Sequence, residues 1–366
     1  MLLLFGTVGN DQIGNFDALG LFSSGSVYNS SAGTQFNQLP NPSLKWERIS
    51  TANFGVDFGF FKNRINGAVE LYNKKTKDLL VTQPVQISSG FTGFTSNVGK
   101  LENKGFELTL NADVIRAKNE GGFNWNLNYV FGYNKQKITE LYDGRQILAS
   151  DNSIQVGQPV GVLFTQKYAG VNAATGRPMW LDSLGNFTYQ VAIRDRRIIG
   201  PTRLPKYQGG ITNTFSYKGF SASVFFNYEY GRLATDGQAN FLSESLARIN
   251  NLQYIYNERW ITPGQITSVP RENTVVESKS SGAQVGDRTW FKADYIRLKT
   301  LTLAYDVPAS NEIIKRARIS SARFYVQGTN LWTYSDTKGY DVEFVGTATG
   351  IIPQSRIVTT GIQIGF

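Results

Sequence analysis

Apolar and polar residues alternate along several long segments of this chain. In residues 123–134 an aromatic-rich apolar set alternates with an Asn-rich polar set, and the same period of two recurs in 51–60, 104–115 and 220–231. This period is typical of β-strands whose two faces meet different surroundings. Strands of soluble proteins average about 5–6 residues, whereas membrane-spanning strands need about 9–11. The pattern therefore predicts long strands with one face toward lipid and the other toward water.

The same alternation predicts about ten strands along the whole chain. They fall at 2–9, 45–61, 64–82, 100–115, 123–141, 206–217, 220–231, 291–307, 321–331 and 355–366. Short turns at 62–63, 116–122, 218–219 and 308–320 alternate with long segments at 83–99, 142–205, 232–290 and 332–354. Outer-membrane barrels have short periplasmic turns and long extracellular loops. We therefore predict an all-β fold, a transmembrane antiparallel up-and-down β-barrel.

Two predicted strands depart from strict alternation. One changes phase between Leu298 and Leu301, which requires an extra residue and predicts a β-bulge near Lys299–Thr300. Another carries Asn213 among its apolar positions.

Aromatic residues mark the ends of several predicted strands. Trp46, Trp290 and Trp332 fall at the outer ends, which predicts an aromatic girdle at the membrane surface, with ordinary core packing as the alternative. The last strand alternates through Ile362 and Ile364 up to Phe366. Such an ending is typical of bacterial outer-membrane barrels, so we predict that these residues form the barrel assembly signal.

The composition narrows the class of protein further. Mean hydropathy is −0.26, and no stretch approaches the roughly 18 apolar residues of a membrane helix. The chain contains no Cys and no His, which excludes disulfides, thiolate metal sites and His-dependent catalysis. We therefore predict that the chain is not an enzyme and needs no cofactor.

The net charge of +9 could indicate a nucleic-acid partner. The densest basic clusters, Arg194–Arg197 and Lys315–Arg318, fall in predicted loops, and the other cations are spread along the chain. This distribution favours solvated or headgroup-facing roles over nucleic-acid binding. Met1–Phe5 is apolar but lacks a basic start and a cleavage site, so it is interpreted as strand rather than signal peptide.

Several segments of the chain contain recognisable sequence motifs. Asn41–Glu47 reads NPSLKWE, and Asn97–Glu107 reads NVGKLENKGFE. Further segments are Gly9–Gly14, Glu70–Leu80, Gly157–Gly161, Ala293–Lys299 and Gly328–Leu331. Together and in this order they resemble SusC/RagA-type TonB-dependent transporters of the Bacteroidetes outer membrane, across essentially the whole chain.

This resemblance implies that 1–366 is the C-terminal portion of a roughly 22-stranded barrel, with the plug and N-terminal regions absent. It implies import of an oligomeric nutrient, an oligosaccharide or a peptide, in contact with outer-membrane lipid. The implied partners are a SusD-like lipoprotein and TonB–ExbBD, the latter through the missing N-terminal region. Ten strands alone would leave unpaired edges in lipid, so we expect this chain alone not to be transport-competent.

Two sets of residues are candidates for functional contacts. Asp57, Glu70, Glu107 and Asp113 are predicted to face the lumen, where bonding to the plug or to water is favoured over a substrate role. The loop aromatics Tyr168, Trp180, Tyr189 and Trp260 could stack on substrate or contact the lid protein, and packing within the loops is the alternative.

Three other classes of protein differ from the importer in what they require of the sequence. A soluble all-β glycan-binding or adhesin module would have shorter strands and no aromatic ending. A passive porin would lack a plug and an energy coupler. An outer-membrane protease or phospholipase relies on a His-containing site, which this chain does not have.

Overall fold

In the computed structural model of this chain, most of the regular secondary structure among the described residues is β-strand. The structure describes residues 1–11, 13–144, 146–149, 152–190, 192–200, 202–236, 252–272, 286–308, 311–312, 316, 318–337, 341–343, 347–348 and 352–366. The strands are β1 (Leu2–Asn10), β2 (Leu21–Tyr28), β3 (Ser31–Gln38), β4 (Glu47–Phe60), β5 (Ile65–Pro84), β6 (Gly93–Ile115), β7 (Asn124–Leu141), β8 (Ile147–Ala149), β9 (Asn152–Ile154), β10 (Val162–Thr165), β11 (Tyr168–Val171), β12 (Pro178–Leu181), β13 (Phe187–Thr188), β14 (Arg197–Gly200), β15 (Tyr207–Tyr217), β16 (Phe220–Tyr230), β17 (Leu233–Asp236), β18 (Trp290–Lys292), β19 (Tyr295–Val307), β20 (Ser321–Ser335), β21 (Thr347–Ala348) and β22 (Ile357–Gly365). Short helical turns are η1 (Ile87–Ser89), η2 (Tyr142–Gly144), η3 (Ile193–Asp195), α1 (Gln253–Glu258) and η4 (Asp287–Thr289).

Ten long strands form one sheet in the order β1-β4-β5-β6-β7-β15-β16-β19-β20-β22. Each long strand therefore lies beside the next long strand along the chain, which confirms the up-and-down, all-β prediction. No helix among the described residues has the length and apolar character needed to cross a membrane.

The chain divides into two compact units. The first comprises residues 1–56, 70–106 and 134–162, and the second comprises 57–69, 107–133 and 163–366. Small sheets fill the long connections: the first unit contains the hairpins β2–β3 and β8–β9. The second contains the pair β10–β14 and the three-stranded sheets β11-β12-β13 and β18-β17-β21.

One connection is shorter than the sequence pattern predicted. The segment 83–99 was expected to be a long loop, but β5 and β6 leave only 85–92 between them. The composition of 90–95, in which four of the six residues are Gly or Thr, favours a loop, yet Ser96 donates to Gln83 Oε1 at 3.0 Å across the pair. Pairing with a neighbouring strand has therefore overridden local propensity.

The predicted bulge is present in β19. In the pairing with β16, Phe225 lies opposite Thr300 and Phe226 lies opposite Leu298, so Lys299 is the extra residue. The register with β20 shifts at the same place. Because of this extra residue, Leu298 and the following apolar residues share one face of the sheet.

The polar residue in the apolar phase of β15 has a partner on the same face. Trp125 of β7 donates its indole N–H to the Asn213 side-chain oxygen at 3.0 Å. The bond satisfies both groups in a place where water cannot replace either one.

We expect Trp125→Phe to destabilise the sheet, because it leaves the Asn213 amide without this donor. The cost of an unsatisfied buried polar group is about 1–3 kcal/mol. Urea unfolding in lipid vesicles measures it, and Asn213→Leu introduced into Trp125→Phe should restore most of the loss. Equal stability of the single and double variants would contradict the interpretation.

The apolar side chains of the long strands are exposed in the isolated chain. Phe220 is 62 % exposed and Leu303 52 %, whereas Trp180 in a long connection is only 1 % exposed. This is the reverse of a water-soluble domain, in which long strands cover a core. The apolar face of the sheet is thus suited to lipid, and buried cores occur in the connections.

Candidate functional site

Asparagines connect neighbouring strands on the polar face of the second unit. Asn128 of β7 donates to Asn111 of β6 at 2.7 Å, and Asn111 donates to Asn66 of β5 at 3.3 Å. Beside them, Asn126 donates to the Asp113 carboxylate at 3.0 Å. The polar halves of the alternating pattern thus form a hydrogen-bonded hydrophilic surface.

The four acidic residues predicted to face the lumen all lie in the polar phase of their strands. In the first unit, Glu70 accepts a hydrogen bond from Asn53 at 3.0 Å. In the second, Glu107 lines a cavity of about 420 Å³, and Asp57 is exposed. Asp113 is held by Asn126, as described above. The structure does not gather these acids into one cluster, and their lumenal role stays a prediction.

A buried ionic cluster lies on the polar face where β19 begins. Arg297 is 5 % exposed and reaches Asp341 at 3.1 Å and Glu343 at 3.4 Å. Its guanidinium also donates to the Thr333 hydroxyl at 2.8 Å, and Lys299 contacts Glu343 at 2.6 Å. These contacts fix the 341–343 segment of the β20–β22 connection to the strands.

A second arginine extends this cluster. The side chain of Arg232 is fully buried; it lies 2.8 Å from the Glu229 carboxylate and bonds the Val342 carbonyl oxygen. The Asp294 carboxylate accepts from the Gly231 backbone N–H at 2.7 Å. Buried charges are tolerated only when paired in this way. The sequence pattern missed the cluster, because its members lie on separate strands and loops.

The acids of the 341–343 segment have lowered pKa values. Burial alone would raise the pKa of Asp341, but the backbone N–H groups of Glu343 and Gln354 and the Arg297 guanidinium hold it below its ordinary value of 3.8. Burial likewise opposes ionisation of Glu343, yet its bonds from Lys299 and Asn227 and the charges of Arg297 and Lys299 lower its pKa below 4.5.

We expect acid to release the 341–343 segment. A carboxylate with a lowered pKa stabilises the folded form when the pH is above its ordinary pKa. That stabilisation is lost as the pH falls toward and through the lowered pKa. Release should therefore begin as the pH drops below 4.5, the ordinary value for Glu343. The rate of pepsin cleavage within 336–356 measures this release between about pH 2 and 5. Dividing it by the rate on an unfolded substrate removes the pH dependence of pepsin itself. A normalised rate independent of pH would contradict the expectation.

The four predicted loop aromatics take different positions. Trp180 is buried and meets the Tyr168 ring edge-on at 5.9 Å, so it packs the β11–β13 sheet instead of facing solvent. Burial raises the pKa of Tyr168 to about 12, and its hydroxyl donates to the Ser268 carbonyl. Tyr189 lies under the Arg177 guanidinium at 4.5 Å, and the Trp260 indole N–H donates to Ala173. For Trp180 the placement favours the packing alternative.

The three girdle tryptophans also differ in placement. Trp46 is exposed immediately before β4, and Trp332 is exposed within β20 opposite Leu298. Trp290 lies in β18, outside the ten-stranded sheet, with Arg203 5.0 Å above its ring. The predicted strand 291–307 is divided between β18 and β19, where the Ala293 N–H donates to the Arg232 carbonyl and the Asp294 carboxylate accepts from the Gly231 N–H. The girdle stays a prediction.

The end of the chain carries the residues predicted as an assembly signal. Ile362 and Ile364 lie in β22 with exposed side chains, and Phe366 follows the strand and is 93 % exposed. Of the two basic clusters, Arg194–Arg197 spans η3 and the start of β14. The cluster Lys315–Arg318 lies partly outside the described residues.

Among the residues described, no group of acids is arranged to hold a metal ion.

Comparison with known proteins decides the family. The family described as TonB-dependent receptor-like, beta-barrel matches residues 9–260 of this chain. The chain belongs to the TonB-dependent receptor-like β-barrel family. This membership confirms the predicted barrel fold and outer-membrane location, and it confirms that the receptor chain is not an enzyme.

Similar proteins align with nearly the whole receptor chain. A TonB-dependent receptor of Formosa agariphila is 27 % identical over 95 % of this chain and 38 % of its own length. SusC of Bacteroides thetaiotaomicron is 26 % identical over 93 % of this chain and 34 % of its own length. The structure of the RagAB peptide transporter superposes with a TM-score of 0.82 at 26 % identity, covering 100 % of this chain and 40 % of that one. The receptor chain therefore spans about two fifths of the length of these relatives, and its SusC/RagA resemblance is confirmed.

Proposed function

We propose that this chain forms part of the wall of an outer-membrane importer for an oligomeric nutrient, a peptide or an oligosaccharide. The observation that carries the proposal is the likeness to the RagAB peptide transporter over the full chain, with a TM-score of 0.82. Identity to SusC is of the same size. Similarity alone therefore leaves both substrate classes in the proposal.

The polar face of the sheet supports a transport role. Its bonded asparagines, Asn66, Asn111 and Asn128, present amide groups that can exchange hydrogen bonds with a passing polar chain. Neutral amides attract a polar oligomer less strongly than charges do, so the wall can guide the substrate without retaining it. We assign Asp57, Glu70, Glu107 and Asp113 to the same lumenal face.

The proposal includes partners outside this chain. A SusD-like lipoprotein would cover the outer end, and the partly exposed loop aromatics Tyr168, Tyr189 and Trp260 are the proposed contacts for this lid or for substrate. TonB–ExbBD would supply energy through a part of the receptor beyond the two fifths spanned here, and a plug would close the lumen. The likeness to the RagAB peptide transporter supports a lid of this kind.

Uptake in the bacterium that encodes the receptor tests the function. Cells are given fluorescent peptide mixtures or oligosaccharides, with the receptor gene intact, deleted or restored, and with tonB intact or deleted. We expect uptake of one substrate class to need both genes. Uptake that needs the receptor but not tonB would support the passive-porin alternative. Uptake of both classes at unchanged rates without the receptor would overturn the proposal.

A further inference from the structure

The apolar face of the second unit contains a groove beside the short turns. Its volume is about 1040 Å³, whereas ligand pockets usually span about 300–1,000 Å³. One wall is a row of aromatic side chains at the strand ends. Tyr217 pairs with Phe220, Phe220 pairs with Tyr305, and Tyr305 pairs with Phe324 across four strands. The aromatic residues predicted from the sequence to mark strand ends are tryptophans at the outer ends, and this row is not among them.

The floor of the groove is formed at one small residue, Ala222, in the row of side chains two positions further from the turn. Ala222 of β16 lies opposite Phe215 on one side and Leu303 on the other. Its methyl group leaves a gap between these larger side chains, and Val326 continues the row beyond Leu303. The result is an apolar channel beside the aromatic row, large enough for a flexible hydrocarbon chain.

A fixed cation lies at the turn end of the groove. Lys218 and Gly219 form the two-residue turn between β15 and β16, and the Lys218 ammonium lies 5.2 Å from the centre of the Tyr217 ring. The Lys218 backbone N–H donates to Gly121 at 3.0 Å, and the Gly219 carbonyl accepts from Asp306 at 2.8 Å. A neighbouring turn and β19 therefore fix the backbone that carries this lysine.

The acidic residue of β19 that lies beside this turn, Asp306, already has an ionic partner. The Asp306 carboxylate lies 3.5 Å from the guanidinium of Arg323 on the other face of the sheet. The Lys218 side chain is exposed and its ammonium lies over the Tyr217 ring, so its positive charge is available to an anion. An apolar groove that ends at a cation matches the two parts of a phospholipid, its acyl chain and its phosphate.

We propose that this groove is a binding site for one anionic phospholipid of the leaflet at the short-turn side. An acyl chain occupies the channel over Ala222, and the phosphate group lies at Lys218. The site is distinct from general lipid contact, because the gap and the fixed cation select one position on the wall. The inference rests on the outer-membrane location and is independent of which substrate the receptor imports.

Native mass spectrometry of the receptor, purified from outer membranes as its gene encodes it, tests the proposal. The protein is delipidated in mild detergent and then mixed with phosphatidylglycerol or phosphatidylethanolamine. We expect one retained phosphatidylglycerol, with Lys218→Gln weakening its retention at least about fivefold, as expected for loss of a charged contact. Ala222→Phe should fill the channel and abolish retention of phosphatidylglycerol.

A matched control is available at another short turn. Lys62 follows β4, is exposed and has a positive φ of 57°, close to the 46° of Lys218. Lys62→Gln should leave retention unchanged. The heat-dependent shift of the barrel on gels reports folding, and Ala222→Leu replaces Ala222→Phe if the larger residue prevents folding. Equal phosphatidylglycerol retention by all variants, or a protein bound in place of lipid, would overturn the proposal.

Discussion

Adding one methyl group at Gly105 should destabilise the barrel wall by about 3 kcal/mol, the upper end of the usual cost of overpacking. Gly105 is buried in β6, and a Cβ there would lie 2.1 Å from Cζ of Tyr72. The Tyr72 ring crosses over Gly105 and donates its hydroxyl to Asn134 at 3.2 Å. The ring cannot move aside without breaking that bond. Urea unfolding of the Gly105→Ala receptor in lipid vesicles, followed by tryptophan fluorescence, measures the loss.

Gly6 supplies the control for this substitution. It lies in β1, and a Cβ built there meets nothing within 4 Å. Gly6→Ala should therefore leave the unfolding midpoint unchanged. Adding Tyr72→Leu to Gly105→Ala should recover part of the loss, because it removes the ring that occupies the space. Equal stability of the Gly105→Ala and Gly6→Ala variants would contradict the proposed clash with Tyr72.

Replacing Arg297 with Gln is the second change expected to have a large effect. It leaves Asp341 and Glu343 partly buried without their shared counter-charge, and breaking a buried ion pair in this way costs about 3–5 kcal/mol. The loss should appear as detachment of the 341–356 segment rather than global unfolding, because the strands keep their ladders. Trypsin cleavage after Arg356, quantified by mass spectrometry of the resulting fragment, reports that detachment.

Arg323→Gln is the matched control. Arg323 also lies at a strand end of the same pair, but its ion pair with Asp306 is solvent-exposed on both sides. Such a pair contributes about 0–1 kcal/mol, so cleavage after Arg356 should stay at its original rate. If Arg297→Gln cleaved no faster than Arg323→Gln, the buried cluster would not be what holds the segment.

The long strands could be predicted from the sequence because lipid and water impose opposite demands on neighbouring residues. Even the exception at Lys299 was visible, since an extra residue changes the phase of every apolar position after it. Residues 93–99 belong to β6 although their Gly, Thr, Ser and Asn residues favour turns locally. Their strand conformation depends on pairing with β5, and a single-chain pattern does not record pairing.

The ionic cluster could not be predicted for a different reason. Arg297 and Asp341 are far apart in the chain, and each is ordinary in its own segment. Trp180 shows the same limit, because its burial depends on how β11, β12 and β13 fold together. The aromatic row at the short turns was accessible to sequence reasoning, since Tyr217, Phe220 and Tyr305 all fall at predicted strand ends.

The bulge at Lys299 shows that the face on which a side chain of this strand lies depends on whether an odd or an even number of residues precedes it. Substituting a residue in β19 alters one contact, but deleting Thr302, beyond the bulge, would move Leu303 and Tyr305 to the hydrated side together. The lengths of these strands are thus constrained as strictly as their chemistry. In the course of evolution residues can be exchanged there singly, but they can be gained or lost only in pairs or together with a compensating bulge.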